Sequence, residues 1–131
     1  MKYYNLTVSE EHIRLIANAI EDWSRFLAGQ CEMYHATSML KAYGTIYEIM
    51  TKEVEPLVGP EGSGSSYGWD GGNCPNEEQK KAIAMSYGIY REILHYLSTH
   101  RESDSWSVYN SPTLTCPEQG GLIKIEETKE E

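Results

Sequence analysis

Glu10-Glu11-His12-Ile13-Arg14-Leu15-Ile16-Ala17-Asn18-Ala19-Ile20-Glu21-Asp22-Trp23-Ser24-Arg25-Phe26-Leu27-Ala28-Gly29-Gln30 is the most legible run in the chain. Ile13, Ile16, Ala17, Ile20, Trp23 or Ser24, and Leu27 recur at three- and four-residue steps, which draws one apolar stripe along a helix. Thr7 or Ser9 can cap it. Thr7-x-x-Glu10 matches a capping box, and Glu10 and Glu11 put negative charge at the positive end of the helix dipole. Gly29 is placed to close the helix in the left-handed conformation.

Upstream of this helix, Tyr4, Leu6 and Val8 alternate with Asn5 and Thr7, the period of a short half-buried strand. Downstream, Ala36, Met39, Leu40, Tyr43, Ile46, Tyr47, Met50, Val54 and Leu57 keep helical spacing, so a second helix is expected over 32–58. Pro56 should terminate or kink its last turn. The short Gly29-Gln30 link predicts that the first two helices form an antiparallel hairpin. Residues 59–75 hold six of the chain's 11 Gly and cannot be regular structure. A third helix is expected from Asn76, with Glu77 and Glu78 in its first turn and a stripe of Ile83, Tyr87, Tyr90, Ile93 or Leu94, and Leu97. Beyond a polar break at 101–104, Trp106 and Val108, then Leu122, Ile123 and Ile125, read as two short strands that could pair with the N-terminal one. The expected fold is therefore α+β and mainly α: a three-helix core containing a helical hairpin, with a small sheet from the N- and C-terminal strands. It forms one domain over 1–125 with a glycine-rich loop at 59–75, followed by an acidic tail at 126–131.

At 131 residues the chain has room for one domain. Eleven Lys and Arg stand against 20 Asp and Glu, a net charge of −9. That balance argues against binding to nucleic acid or to an anionic membrane surface. No stretch approaches the ~18 apolar residues of a membrane span, and Met1-Lys2-Tyr3-Tyr4-Asn5 lacks an apolar signal core, so a cytoplasmic protein is expected. Cys31, Cys74 and Cys116 are odd in number and scattered, which makes reduced thiols the default. Cys31 and His35 share a helix face, but no second ligand pair stands at metal spacing. No metal and no other cofactor is expected.

No nucleophile elbow, dinucleotide fingerprint or His-Glu-x-x-His zinc helix is present. Gly62-Ser63-Gly64-Ser65 lacks the Lys-Ser/Thr and the preceding strand of a phosphate loop, and reads as a loop. His12 and His100 fall at helix ends, whereas His35 and His95 stand beside apolar stripes next to Tyr34 and Tyr96. Arg25, between Trp23 and Phe26 and followed by Gln30, is suited either to hold a phosphate or carboxylate, or to pin the hairpin connection. Ten Tyr against one Phe is the clearest compositional signal. Tyr34, Tyr43, Tyr47, Tyr87 and Tyr90 fall on or beside stripes where Phe would pack as well, which implies a pocket rim, a subunit interface, or a core too shallow to exclude water.

The run 19–30 with its Arg-x-x-x-Gly-Gln ending resembles a group of small phage and prophage proteins that open with a short strand and a helix. Ile89-Tyr90-Arg91-Glu92-Ile93-Leu94-His95-Tyr96-Leu97 resembles their later helix, and 108–112 with 122–126 their C-terminal strands. The matched positions are Arg25, Gly29, Gln30 and His95; the Gly-Ser-Tyr-Trp loop has no counterpart. The resemblance implies an accessory protein of infection that acts by binding. The leading expectation is a non-enzymatic homo-oligomer that sequesters a nucleotide-derived host immune signal, an anti-defence sponge. Its candidate ligand-binding residues are Arg25, Gln30, Tyr34, His35, Tyr67, Trp69, Arg91 and His95. The alternatives are an acidic inhibitor that docks on a host defence protein, and a small hydrolase using His35 or His95.

Overall fold

The computed structural model describes residues 1–60, 65–100 and 123–128. Its elements are α1 (Glu10–Ala28), α2 (Tyr34–Thr37), α3 (Tyr43–Ile49), a π-helical turn (Met50–Val54), α4 (Glu55–Val58) and α5 (Glu77–Thr99). Ser9 is the residue that caps α1, its hydroxyl accepting the His12 N–H at 3.2 Å. At the other end Gly29 takes φ 101°, its N–H bonds to the Phe26 carbonyl, and the Gln30 N–H reaches back to the Arg25 carbonyl at 2.8 Å. That pair of bonds is a Schellman closure, which needs a residue free to adopt positive φ. Asn76 caps α5 by accepting the Gln79 N–H at 2.9 Å.

The core is the pairing of α1 with α5. Ala17, Tyr90, Ile93 and Leu94 are buried together, flanked by Ile13, Ile16, Ile20, Tyr87, Ile89 and Leu97. Farther along the same seam, Ser24 donates to the Ile83 carbonyl at 3.3 Å, and Ile83 is fully enclosed. The α1 stripe runs through Ala17, Glu21, Ser24 and Ala28, so Ser24 rather than Trp23 faces inward. Two polar side chains thus occupy positions on a core-facing row.

The three-helix core and the small sheet are both corrected. The expected helix over 32–58 is interrupted at 38–42, and none of α3, the π turn or α4 contains a buried residue. Met39, assigned to its buried stripe, is 78% exposed. Periodicity reports which side chains share a face, but a face needs a partner, and here α1 and α5 already satisfy one another. Pro56 acts where expected. Lacking an N–H and crowding the preceding turn, it follows a widened π-helical turn, after which the chain resumes as α4.

Among the described residues there is no strand. Tyr4 and Leu6 are exposed, Leu6 at 76%, because an alternating segment without a neighbouring strand has no ladder to join. Trp106, Val108 and Leu122 lie outside the described residues. Ile123 and Ile125 do pack against the α1–α5 cluster, with Lys124 exposed between them. The segment is a strap rather than a strand: the Ile123 N–H donates to Glu92 Oε2 at 3.2 Å, and the Glu127 N–H to the Tyr96 hydroxyl at 3.0 Å. No helix among the described residues is long and apolar enough to cross a membrane.

Candidate functional site

Glu21 and Asp22 are adjacent on α1 and both are buried, at 5% and 3% exposure. They converge on one residue, His35. Glu21 Oε1 meets His35 Nε2 at 2.8 Å, while Glu21 Oε2 accepts from Arg25 Nε and Nη2, each at 3.0 Å. Asp22 holds the backbone: Oδ1 accepts the His35 N–H at 3.1 Å and Oδ2 the Ala36 N–H at 2.8 Å. Since α2 is a single turn, its first N–H groups are poorly satisfied within it, and a carboxylate from α1 accepts both, that of Ala36 also reaching the Met33 carbonyl at 3.1 Å.

The entry into α2 is strained. Met33 takes φ 49°, the one positive φ outside glycine among the described residues. A left-handed Met costs about 1–2 kcal/mol. It is held by Thr37, whose hydroxyl donates to the Glu32 and Met33 carbonyls at 2.9 Å each. The strain turns Tyr34 and His35 over the α1 carboxylates and opens a cavity of about 370 Å³. Glu21, Asp22 and Arg25 of α1, Glu32 to His35 of the α2 entry, and Tyr43 and Tyr47 of α3 line it. Its aromatic wall is continuous: Tyr34 meets Tyr43 edge-on at 6.4 Å between ring centroids, and Tyr43 meets Tyr47 at 6.2 Å. Tyr34 also contacts the His35 ring edge-on at 5.8 Å.

Of the residues singled out from the sequence, the structure brings Arg25, Tyr34 and His35 into this cavity. Gln30 lies at the α1 terminus, where its backbone closes the helix, and is not in the lining. Tyr67 and Trp69 are not in the lining either. The Tyr67 N–H donates to the Ala28 carbonyl at 2.8 Å, and Trp69 packs on Tyr87, itself edge-on to Tyr90. Arg91 and His95 are half-buried on α5, away from the cavity. Glu21, Asp22, Glu32 and Met33 are not among the residues the sequence singles out, while Tyr43 and Tyr47, whose hydroxyls imply a pocket rim, a subunit interface or a wet core, fall in the lining. One signal was available: the Ala17, Glu21, Ser24, Ala28 row is as good a helical stripe as the apolar one beside it, and a carboxylate on it requires a built partner.

Cys31 is fully enclosed, and its thiol is pushed up to about 11 by burial and by the nearby charges of Glu55 and Glu32. Glu55 Oε1 accepts the Cys31 N–H at 3.1 Å, tying α4 to the end of α1. Cys31 and Cys74 are both unpaired and buried; Cys116 lies outside the described residues. Among the described residues no group of three or more His, Cys, Asp or Glu could hold a metal ion. No protein-family model, curated protein or solved structure matches the chain.

Proposed function

We propose that the protein is a non-enzymatic binder that sequesters a small planar ligand in the cavity between α1, α2 and α3. The observation that carries this reading is the unbroken Tyr34, Tyr43, Tyr47 wall set over an imidazole fixed by a buried carboxylate. Rigid aromatic faces beside a few oriented polar groups are the usual make-up of a small-ligand pocket, and about 370 Å³ is within the range for one or two fused rings. The resemblance to phage accessory proteins makes a nucleotide-derived host signal the expected ligand, entering ring first. Exposed Tyr34 in the cavity lining, with exposed Met39 and Leu40 in the link between α2 and α3, supports a second copy of the chain as its cover in solution.

The test is native mass spectrometry of the protein after incubation with a small-molecule extract of cells. A retained mass, released chemically unchanged and lost in Tyr43→Ala, supports the reading; a protein that retains nothing refutes it. Light scattering on the same sample checks the oligomer, and a monomer at all concentrations removes that part. A hydrolytic reading is favoured by one contact, His35 Nε2 to Glu21 Oε1 at 2.8 Å, since a carboxylate that orients an imidazole can serve a general base. Recovery of altered ligand, abolished by His35→Ala, would establish it.

A further inference from the structure

We propose that the cavity selects a planar heteroaromatic cation, a ring carrying a fixed positive charge such as a pyridinium or an N-alkylated purine. This rests on the reading of the cavity as a ligand site and narrows it to one class. Three carboxylates line the walls against one guanidinium. Arg25 Nε and Nη2 are both spent on Glu21, so that pair is neutral within itself and presents little positive potential to a ligand. Asp22 is buried on two backbone N–H groups, which orient its charge without cancelling it. Glu32 lines the cavity, and its side chain has no hydrogen bond among the described residues. The residual charge of the lining is therefore negative, with three carboxylates against one guanidinium, and it opposes a phosphate placed there.

The aromatic wall favours the same class. Tyrosine faces carry negative quadrupolar potential and attract a cationic ring more than a neutral one of the same shape. Tyr34 is 59% exposed, so one of its faces is available for stacking, while the edge-on contact with Tyr43 holds its plane. The net charge of −9 adds long-range steering of cations toward the molecule. A nucleotide-derived ligand of this class would put its charged ring against Tyr34 and Glu32 and leave its phosphates outside.

Three probes built on one ring, differing by a methyl or a carboxylate-for-amide change, separate charge from fit: 1-methylnicotinamide (a cation), nicotinamide (neutral) and nicotinate (an anion). Binding is read from saturable shifts of the backbone amide resonances of His35 and Ala36. The expected result is a Kd for 1-methylnicotinamide at least about tenfold below that for nicotinamide, with nicotinate weakest. Glu32→Gln should reduce the cation's advantage to within about threefold, and added salt should weaken the cation alone. Equal Kd values for cation and neutral ring overturn the selectivity and leave the cavity as a ligand site. Tightest binding by nicotinate overturns the charge argument. No saturable shift with any probe overturns both this inference and the reading on which it rests.

Discussion

Replacing Asp22 with Ala removes an acceptor from two backbone N–H groups, those of His35 at 3.1 Å and Ala36 at 2.8 Å, the latter keeping the Met33 carbonyl at 3.1 Å as a second acceptor. Hydrogen bonds to a charged group contribute about 1.5–3 kcal/mol each, so the gross loss is about 3–6 kcal/mol. Both N–H groups lie near solvent, since His35 is half-buried and Ala36 exposed. Water can therefore take over much of the bonding, and loss of a cap of this kind costs about 2 kcal/mol at its upper end. Unfolding entropy of about 2.1 cal/mol/K per residue gives about 0.28 kcal/mol/K for a chain of 131 residues. The expected fall in Tm is then about 7 °C for Asp22→Ala. Asp22→Asn keeps one acceptor oxygen and should fall by about half as much. Calorimetry measures both, and amide exchange at His35 and Ala36 should accelerate in the Ala variant before the α1–α5 amides change. A Tm for Asp22→Ala within about 2 °C of the parent would falsify the reasoning, because it would mean that α2 is held by something other than Asp22.

A Cβ on Gly29 would lie 2.7 Å from the Gly59 Cα, at φ +101°, so Gly29→Ala should lower the urea midpoint by the equivalent of at least about 2 kcal/mol. An unchanged midpoint would show that the two chain segments do not cross there. Ile83→Ala empties a fully enclosed site and should cost about 2–4 kcal/mol, whereas Met39→Ser should stay within about 0.5 kcal/mol; equal losses would restore Met39 to the core. The Cys31 thiol is raised from 9.0 to about 11 in the folded chain, so folding favours its protonated form. Its stabilising contribution is whole below pH 9.0 and is lost as pH rises through about 11, a loss that Cys31→Ala should lack in pH-dependent melting. Parallel curves for the two proteins would refute that assignment.

The elements legible in the sequence were those whose ends carry their own chemistry. Ser9 and Gly29 bound α1, and Asn76 opens α5, because capping is local and needs no knowledge of the rest of the molecule. The 32–58 stripe misled because its apolar spacing is real while the area available to bury it is not: α1 and α5 already cover one another's apolar faces. The terminal strands failed for a related reason. The apolar run containing Ile123 and Ile125 does pack on the core, but ladder formation depends on a neighbouring strand that a short apolar run does not report. At the site, Arg25 and His35 were visible as side chains that need partners. Glu21 was not, because its partner His35 is 14 residues away and reaches it only through the positive φ of Met33, which nothing about a methionine announces.

The segment from α2 to α4 has a single buried side chain within its helices, Thr37, and so is not held by apolar packing. Its attachments are polar or steric: Asp22 to the α2 backbone, Glu21 to His35, Glu55 to the Cys31 N–H, and the close approach of Gly59 to Gly29. Such contacts are short in range and exchange readily with water, so this segment opens at lower free energy than the α1–α5 pair. Three of the cavity's walls belong to it or to its entry. Opening the segment and dismantling the cavity are therefore one event, and a ligand that binds only the assembled cavity stabilises the whole segment by mass action. The same economy explains why two carboxylates are buried on α1: an apolar pair there would pack as well, but would leave α2 and α3 with nothing on α1 to hold.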